Sequence, residues 1–296
     1  MKKLLSVILT FALLILPLAL ASCGEKEAKD AKTVDMSAVK SLSDLEGLKI
    51  AAQAGTFHAD ATAQIKDVKS STYPEFADLL TAVKSGAIDG YVAEEPTALS
   101  VCGSDDTLDY VHLVNNDTGF KAGKEDVGIA IGVATGSELR DKINAVLAEI
   151  TEEQKEELMQ QIVDITIGKE VTEFAISSEE PAEPVGTLKI GMECAYEPYN
   201  WTETKAESLG AVPISGEGKN GMYANGYDVQ IAKYVANKLG MSLEIYSFEW
   251  DSLVPAVQSG AIDAIVAGMS PTADREEEID FTDTYYESNL VIIYKK

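Results

Sequence analysis

Apolar residues recur along this chain in two rhythms. Stretches rich in apolar residues predict strands at 88–93, 128–133, 188–192, 242–247, 262–267 and 290–294. Apolar positions a helical turn apart predict helices at 58–64, 75–84, 137–149, 151–163, 227–239 and 251–259. Thr151 and Gln154 form a capping box before one of these helices, and Gly240 stops another. LEGLKIAAQAG, from Leu45, reads as a further strand running into a Gly-Thr turn, and a short strand is expected near 65–70. Alternating strands and helices imply mainly parallel sheets covered by helices.

One unit of this pattern occurs twice. Residues 79–99 read LLTAVKSGAIDGYVAEEPTAL, and residues 253–273 read LVPAVQSGAIDAIVAGMSPTA, at a constant offset of 174. Each copy runs from a helix through a Ser-Gly stop into an apolar strand, with polar residues just past the strand end. Different polar chemistry at matching strand exits suggests two similar lobes facing one ligand.

In open α/β sheets ligands bind beyond the carboxyl ends of the strands. The second copy presents Gly268, Ser270 and, five residues on, Arg275. A bare amide, a hydroxyl and a guanidinium make a carboxylate receptor. At the matching exit the first copy presents Glu94, a receptor for a cation. Facing each other, the two fit the zwitterionic end of a free amino acid. Thr56, in the Gly55-Thr56 turn, adds a hydroxyl and an amide for the carboxylate. The strand at 188–192 exits into Glu193 and Tyr196, and the strand at 242–247 exits into Trp250. The two rings can sandwich a side chain, and Glu193 can receive an ammonium, guanidinium or amide. Arg, Lys, ornithine or Gln is therefore the expected ligand.

The N-terminus and the charge bear on location. Met1-Lys2-Lys3 and the apolar run Leu4–Leu20 read as a signal peptide over residues 1–22. Leu20-Ala21-Ser22-Cys23 resembles a bacterial lipobox, with Cys23 the acylated residue; acyl chains contribute about 0.8 kcal/mol per buried methylene. Losing residues 1–22, which hold Lys2 and Lys3 and no acids, takes the formal charge from −25 to −27. Nucleic acid needs a basic face and is excluded as a natural partner. Cys102 and Cys194 give no disulfide framework, and two histidines offer no metal spacing. Gly216, Gly218 and Gly221 spell GxGxxG, but no helix follows, so no dinucleotide loop is read there. No cofactor and no catalytic motif is expected.

LKIGMECAYEPYNW, GYDVQIAKYVANKLG, EWDSLVPAVQSGAIDAIVAGMSPTADR and IDFTDTYYESNLVIIYKK resemble the extracellular family 3 solute-binding proteins of bacterial ABC importers, and LSDLEGLKIAAQAGT and AIDGYVAEEPTAL resemble their other lobe. The resemblance implies a type II periplasmic-binding-protein-like fold of two α/β lobes joined by a hinge. It also implies that Arg275, Ser270 and Thr56 hold the ligand carboxylate and Glu94 the ammonium, while Tyr196 and Trp250 stack and Glu193 meets the side chain. Partners would be an ABC importer permease and the outer face of the cytoplasmic membrane, reached extracellularly or in the periplasm through the lipid. Family members read lobe one, lobe two, then closing helices. Here the order is a tether at 23–42, lobe two at 43–125, a hinge strand and closing helices at 126–165 and a linker at 166–185. Lobe one follows at 186–296 and ends in a hinge strand. That order resembles a circular permutation closing within a monomer, with 126–133 as the only covalent crossing and Leu290–Tyr294 hydrogen-bonded beside it. An amino-acid sensor without a transport role, and a truncated tandem protein lacking a partner lobe, remain open alternatives.

Overall fold

Two sheets divide the chain, seen in a computed structural model that describes residues 34–113, 118–123 and 127–296. The first half supplies β1 (Ile50–Gln53), α1 (Phe57–Thr62), β2 (Ser71–Tyr73), α2 (Phe76–Ser85), β3 (Gly90–Glu94), α3 (Glu95–Ser104) and β4 (Leu108–His112). The strand β5 (Gly128–Val133) and the helices α4 (Leu139–Leu147) and α5 (Glu152–Thr166) follow. The second half opens with β6 (Thr187–Met192), β7 (Ala195–Tyr196), β8 (Asn200–Glu203), β9 (Val212–Ser215) and β10 (Tyr223–Asn225). It continues with α6 (Tyr227–Lys238), β11 (Ser242–Ser247), α7 (Leu253–Gln258), β12 (Ala264–Ile265), α8 (Ala273–Glu276), β13 (Asp280–Glu287) and β14 (Leu290–Lys295). The strand orders are β2-β1-β3-β14-β4 and β13-β5-β12-β6-β11-β9-β10-β8-β7.

The duplicated unit has a structural reason. In the first copy the Asp89 carboxylate accepts the Lys49 amide at 2.8 Å, while the Asp89 amide donates to the Lys49 carbonyl at 2.8 Å. Asp263 does the same to Lys189, with the same two distances. Each Gly-Ala-Ile-Asp thus fixes the start of the neighbouring strand, β1 or β6, against its own. The helix before it ends at a glycine of positive φ, Gly86 at 75° and Gly260 at 73°, a conformation glycine adopts without steric cost. The two copies therefore aim equivalent strand ends at one cleft.

The halves also complete each other. β5, from the first half, lies between β12 and β13, antiparallel to both. β14, from the second half, lies between β3 and β4, antiparallel to both. This placement corrects the expectation that Leu290–Tyr294 closes lobe one beside a single crossing. Leu290 to Tyr294 are all buried, and a continuous apolar run fits a central slot covered on both faces. The chain passes covalently between the sheets at Ser288-Asn289 as well.

Two segments read as flexible connectors are packed. Of the expected tether, residues 34–42 are described, and Met36 and Val39 bury their side chains with Leu45, Val111, Leu113 and Tyr294. A three-residue spacing puts both on one side of a short 3-10 turn, and their burial outweighs the polarity around them. Along 167–186 Ile176 is buried, the Ala175 amide donates to Gln161 at 2.8 Å and Asn237 donates to the Ser178 carbonyl at 3.2 Å. This strap ties α5 to α6, which a random coil would not do. The expected signal peptide and the lipid site Cys23 lie outside the described residues. Among the described residues no helix is long and apolar enough to cross a membrane.

Between β7 and α6 the chain forms β8, β9 and β10, and the expected strand near 65–70 forms at β2 instead. The capping box is present: the Thr151 hydroxyl accepts the Gln154 amide at 3.2 Å, and Gln154 accepts the Thr151 amide at 3.0 Å.

Candidate functional site

Strand ends from both sheets converge on one cleft. From the first sheet, β1 delivers Gln53, Thr56 and His58, α2 delivers Phe76, and β3 delivers Glu94. From the second, the β6 exit delivers Tyr196, the β11 exit Trp250, and the β12 exit Gly268, Ser270 and Arg275. Glu193, the eighth residue singled out in the sequence, is 8% exposed and joins the cleft through Gln53, whose Nε2 donates to its Oε1 at 2.7 Å. Backbone conformation makes room for the group. Gly268 has φ +61°, and a Cβ there would meet the Tyr196 ring at 3.3 Å.

Arg275 defines the polar end. Its two terminal nitrogens donate to the Ser270 carbonyl and, from across the cleft, to the Gly55 carbonyl, each at 2.8 Å. The guanidinium also lies 5.2 Å from the Trp250 ring centroid. The Trp250 indole donates to the same Gly55 carbonyl at 3.1 Å. Burial pulls the Arg275 guanidinium below its ordinary pKa, against the opposing charge of Asp60. A half-buried cation held, among the described residues, by neutral carbonyls and a ring gains from a carboxylate, because charge-assisted pairs are about twice as strong as neutral ones. Thr56 contributes differently from expectation. Its hydroxyl donates to the Gln53 carbonyl at 2.8 Å, so its backbone amide is the donor it can present.

Glu94 defines the opposite end. It is 5% exposed, and its Oε1 lies 2.9 Å from His58 Nε2. Its Oε2 has no hydrogen-bond partner among the described residues, and neither does the buried His58 Nδ1. The Tyr196 and Tyr199 hydroxyls are in the same condition. Buried polar atoms without partners cost about 1–3 kcal/mol each, so this end has hydrogen-bonding capacity, at the Glu94 oxygen for a donor and at the phenol hydroxyls for a donor or an acceptor.

Between the two ends, Phe76 stacks on Tyr196 with centroids 4.0 Å apart and planes 10° apart. Trp250, expected to pair with Tyr196 around a ligand, stacks on Arg275 instead. Gln53 and Phe76 escaped the sequence reading because each acts on a residue more than a hundred positions away. Burial raises the Glu193 carboxyl to about 7, reinforced by the nearby charges of Glu75, Glu249 and Asp251 and opposed by the Gln53 bond. Ser100 adds a contact between the halves beside the cleft, its hydroxyl donating to Glu197 at 2.6 Å.

Behind the cleft sits Asp228, wholly buried in the first turn of α6. Tyr285 of β13 donates to its Oδ1 at 2.6 Å and Asn200 donates to its Oδ2 at 2.8 Å. The Gly268 amide is a third donor. Asn200 in turn accepts the Cys194 amide at 2.7 Å. Burial raises Asp228 to about 6 against these three bonds.

The fold is a mixed α/β fold whose two sheets bring a half-buried cation and a buried carboxylate to one cleft. Residues 188–296 match the family model of the bacterial extracellular solute-binding proteins, family 3. That segment carries Glu193, Tyr196, Trp250, Gly268, Ser270 and Arg275. It is 39% identical over 80 residues to an arginine-binding extracellular protein of Bacillus subtilis (strain 168), covering 27% of this chain and 31% of that one. It is 31% identical over 111 residues to an L-cystine-binding protein of the same organism, covering 38% and 35%. Among solved structures, an ancestral arginine-binding protein bound to arginine aligns at 32% identity over 35% of this chain and 39% of that one, with a TM-score of 0.27. The chain spans about a third of the length of the curated relatives it matches.

Proposed function

We propose that this protein binds a basic or polar L-amino acid outside the cytoplasmic membrane, held there by lipid on Cys23, and delivers it unchanged to an ABC importer. The observation that carries the reading is the pairing of two incompletely satisfied charges, half-buried Arg275 and buried Glu94, across one cleft. Arg275 is bonded only to carbonyls, and Glu94 has one oxygen free of partners among the described residues. A ligand carboxylate and ammonium satisfy both. Glu193, with its own neighbouring acids, favours a cationic side chain, in keeping with the arginine-binding relative. Arg, Lys or ornithine ranks ahead of Gln.

The order of the lobes is read as a circular permutation that closes within a monomer. The interleaving of β5 and β14 supports it, since each half needs a strand from the other. Light scattering on the full chain tests this part: a monomer binding one ligand is expected, and an obligate dimer with exchanged lobes contradicts it. For the ligand, a thermal-shift panel of the amino acids is the direct test. A bound ligand stabilises by RT ln(1 + [L]/Kd), so a rise confined to basic and polar members is expected. A flat panel contradicts binding.

A further inference from the structure

Glu94, Glu193 and Tyr196 are all buried in the cleft, so an amino acid reaches them only when the two halves part. Parting breaks the side-chain hydrogen bonds that join the halves there. The bonds from Gln53 to Glu193, and from Arg275 and Trp250 to the Gly55 carbonyl, are made by cleft residues themselves. A ligand competes for those groups. Another bond escapes that competition: the Ser100 hydroxyl donates to Glu197 Oε1 at 2.6 Å, and neither residue lines the cleft.

The sequence ties this bond to the site. Ser100 is wholly buried in α3, which starts directly after Glu94, and Glu197 directly follows Tyr196. Motion that draws Tyr196 away from Glu94 therefore draws Glu197 away from Ser100. A helical serine is a poorer helix former than alanine and can turn its hydroxyl back to the carbonyl four residues earlier. Ser100 commits that hydroxyl to the other half instead. The same turn is gripped a second time, by Phe76 of α2 stacked on Tyr196 at 4.0 Å.

We infer that Ser100 and Glu197 form a closing pair, whose hydrogen bond steadies the closed cleft and slows release of the bound amino acid without touching it. This rests on the amino-acid-binding reading above. A bond that meets no ligand atom strengthens every ligand by the same factor and alters no preference among them. Its effect falls on dissociation, because the bond forms only once the halves have met.

Stopped-flow and calorimetric titration of the full chain test this with L-arginine, L-glutamine and 5-guanidinopentanoate, which is arginine without its α-amino group. Ser100→Ala is expected to weaken all of them by one common factor of about tenfold, the loss of a hydrogen bond to a carboxylate. L-arginine should leave faster by that factor, with association changed less than about twofold. Glu197→Ala should do the same, and the double variant should lose little more, because either change removes the one bond. Glu197→Gln, which keeps an acceptor, should recover most of the loss. Should Ser100→Ala not fold, the two Glu197 variants decide. Wild-type release rates in the single variants, losses that multiply in the double variant, or losses that differ among the ligands would overturn the inference. So would a lowered melting temperature with unchanged binding, which marks a contact that only holds the fold. A wild type that binds none of the compounds defeats the amino-acid-binding reading itself, and small-angle X-ray scattering of the ligand-free chain then decides the pair. Ser100→Ala should raise the radius of gyration, and an unchanged value contradicts the closing pair.

Discussion

Tyr285 donates its phenolic hydrogen to Asp228 at 2.6 Å, which links the strand leading out of the second sheet to the first turn of α6. The same carboxylate takes the Gly268 amide, and through Asn200 it steadies the turn after Glu193. One buried acid therefore braces both the Gly268 loop and the turn after Glu193.

Replacing it should be felt at a distance. Asp228→Ala leaves three buried donors without an acceptor, and each such group costs about 1–3 kcal/mol. We expect a loss of on the order of 3 kcal/mol in urea unfolding. Asp228→Asn should cost less in stability, yet still weaken ligand binding several-fold, because one of its two terminal groups donates and meets a donor. Wild-type affinity in a folded Asp228→Asn protein would separate this network from the site.

Stability should fall as pH rises across the neutral range. Burial holds the Glu193 carboxyl near 7 and the Asp228 carboxyl near 6 in the folded protein, against roughly 4 for either when unfolded. Between those limits the folded state binds more protons than the unfolded state, so unfolding becomes easier as pH climbs through 6 and 7. Asp164 and Glu149, lowered by hydrogen bonds from Lys169 and Lys238, act in the opposite sense, and only toward acid pH. The melting temperature should thus be higher at pH 5 than at pH 7.5. In unfolding free energy, Glu193→Gln should shrink the difference between pH 5 and pH 7.5 by on the order of 2 kcal/mol. A melting temperature that rises over this range would contradict the environment assigned to Glu193.

Much of this site was legible because the chemistry falls where the architecture requires it. Glu94, Glu193, Trp250 and the Gly268–Arg275 stretch follow predicted strands, and ligands in α/β sheets bind past strand ends. The contributions of Gln53, Phe76 and His58 were not legible, since each depends on a partner brought close only by packing. The Gln53–Glu193 pair spans 140 residues. The slot taken by β14 was hidden for a related reason: an apolar run fits the middle of either sheet, and only strand pairing decides which. The burial of Met36 and Val39 was masked by the charged residues around them.

The anion and cation receptors should respond to different halves of the ligand. Arg275→Ala removes a half-buried charge-assisted donor and should weaken L-arginine at least about tenfold, whatever stands at the α-nitrogen. Glu94→Gln should weaken L-arginine while sparing 5-guanidinopentanoate. Calorimetry on folded variants checks both. Equal effects of Glu94→Gln on the two compounds would remove Glu94 from the ammonium.

Titration of the full chain with L-arginine, L-glutamine and L-glutamate addresses the central claim most directly. The account predicts one equivalent of L-arginine bound per chain, weaker L-glutamine, and L-glutamate weakest because its side chain would face Glu193 and the acids around it. No binding of any of the three, or a preference for L-glutamate, would contradict it.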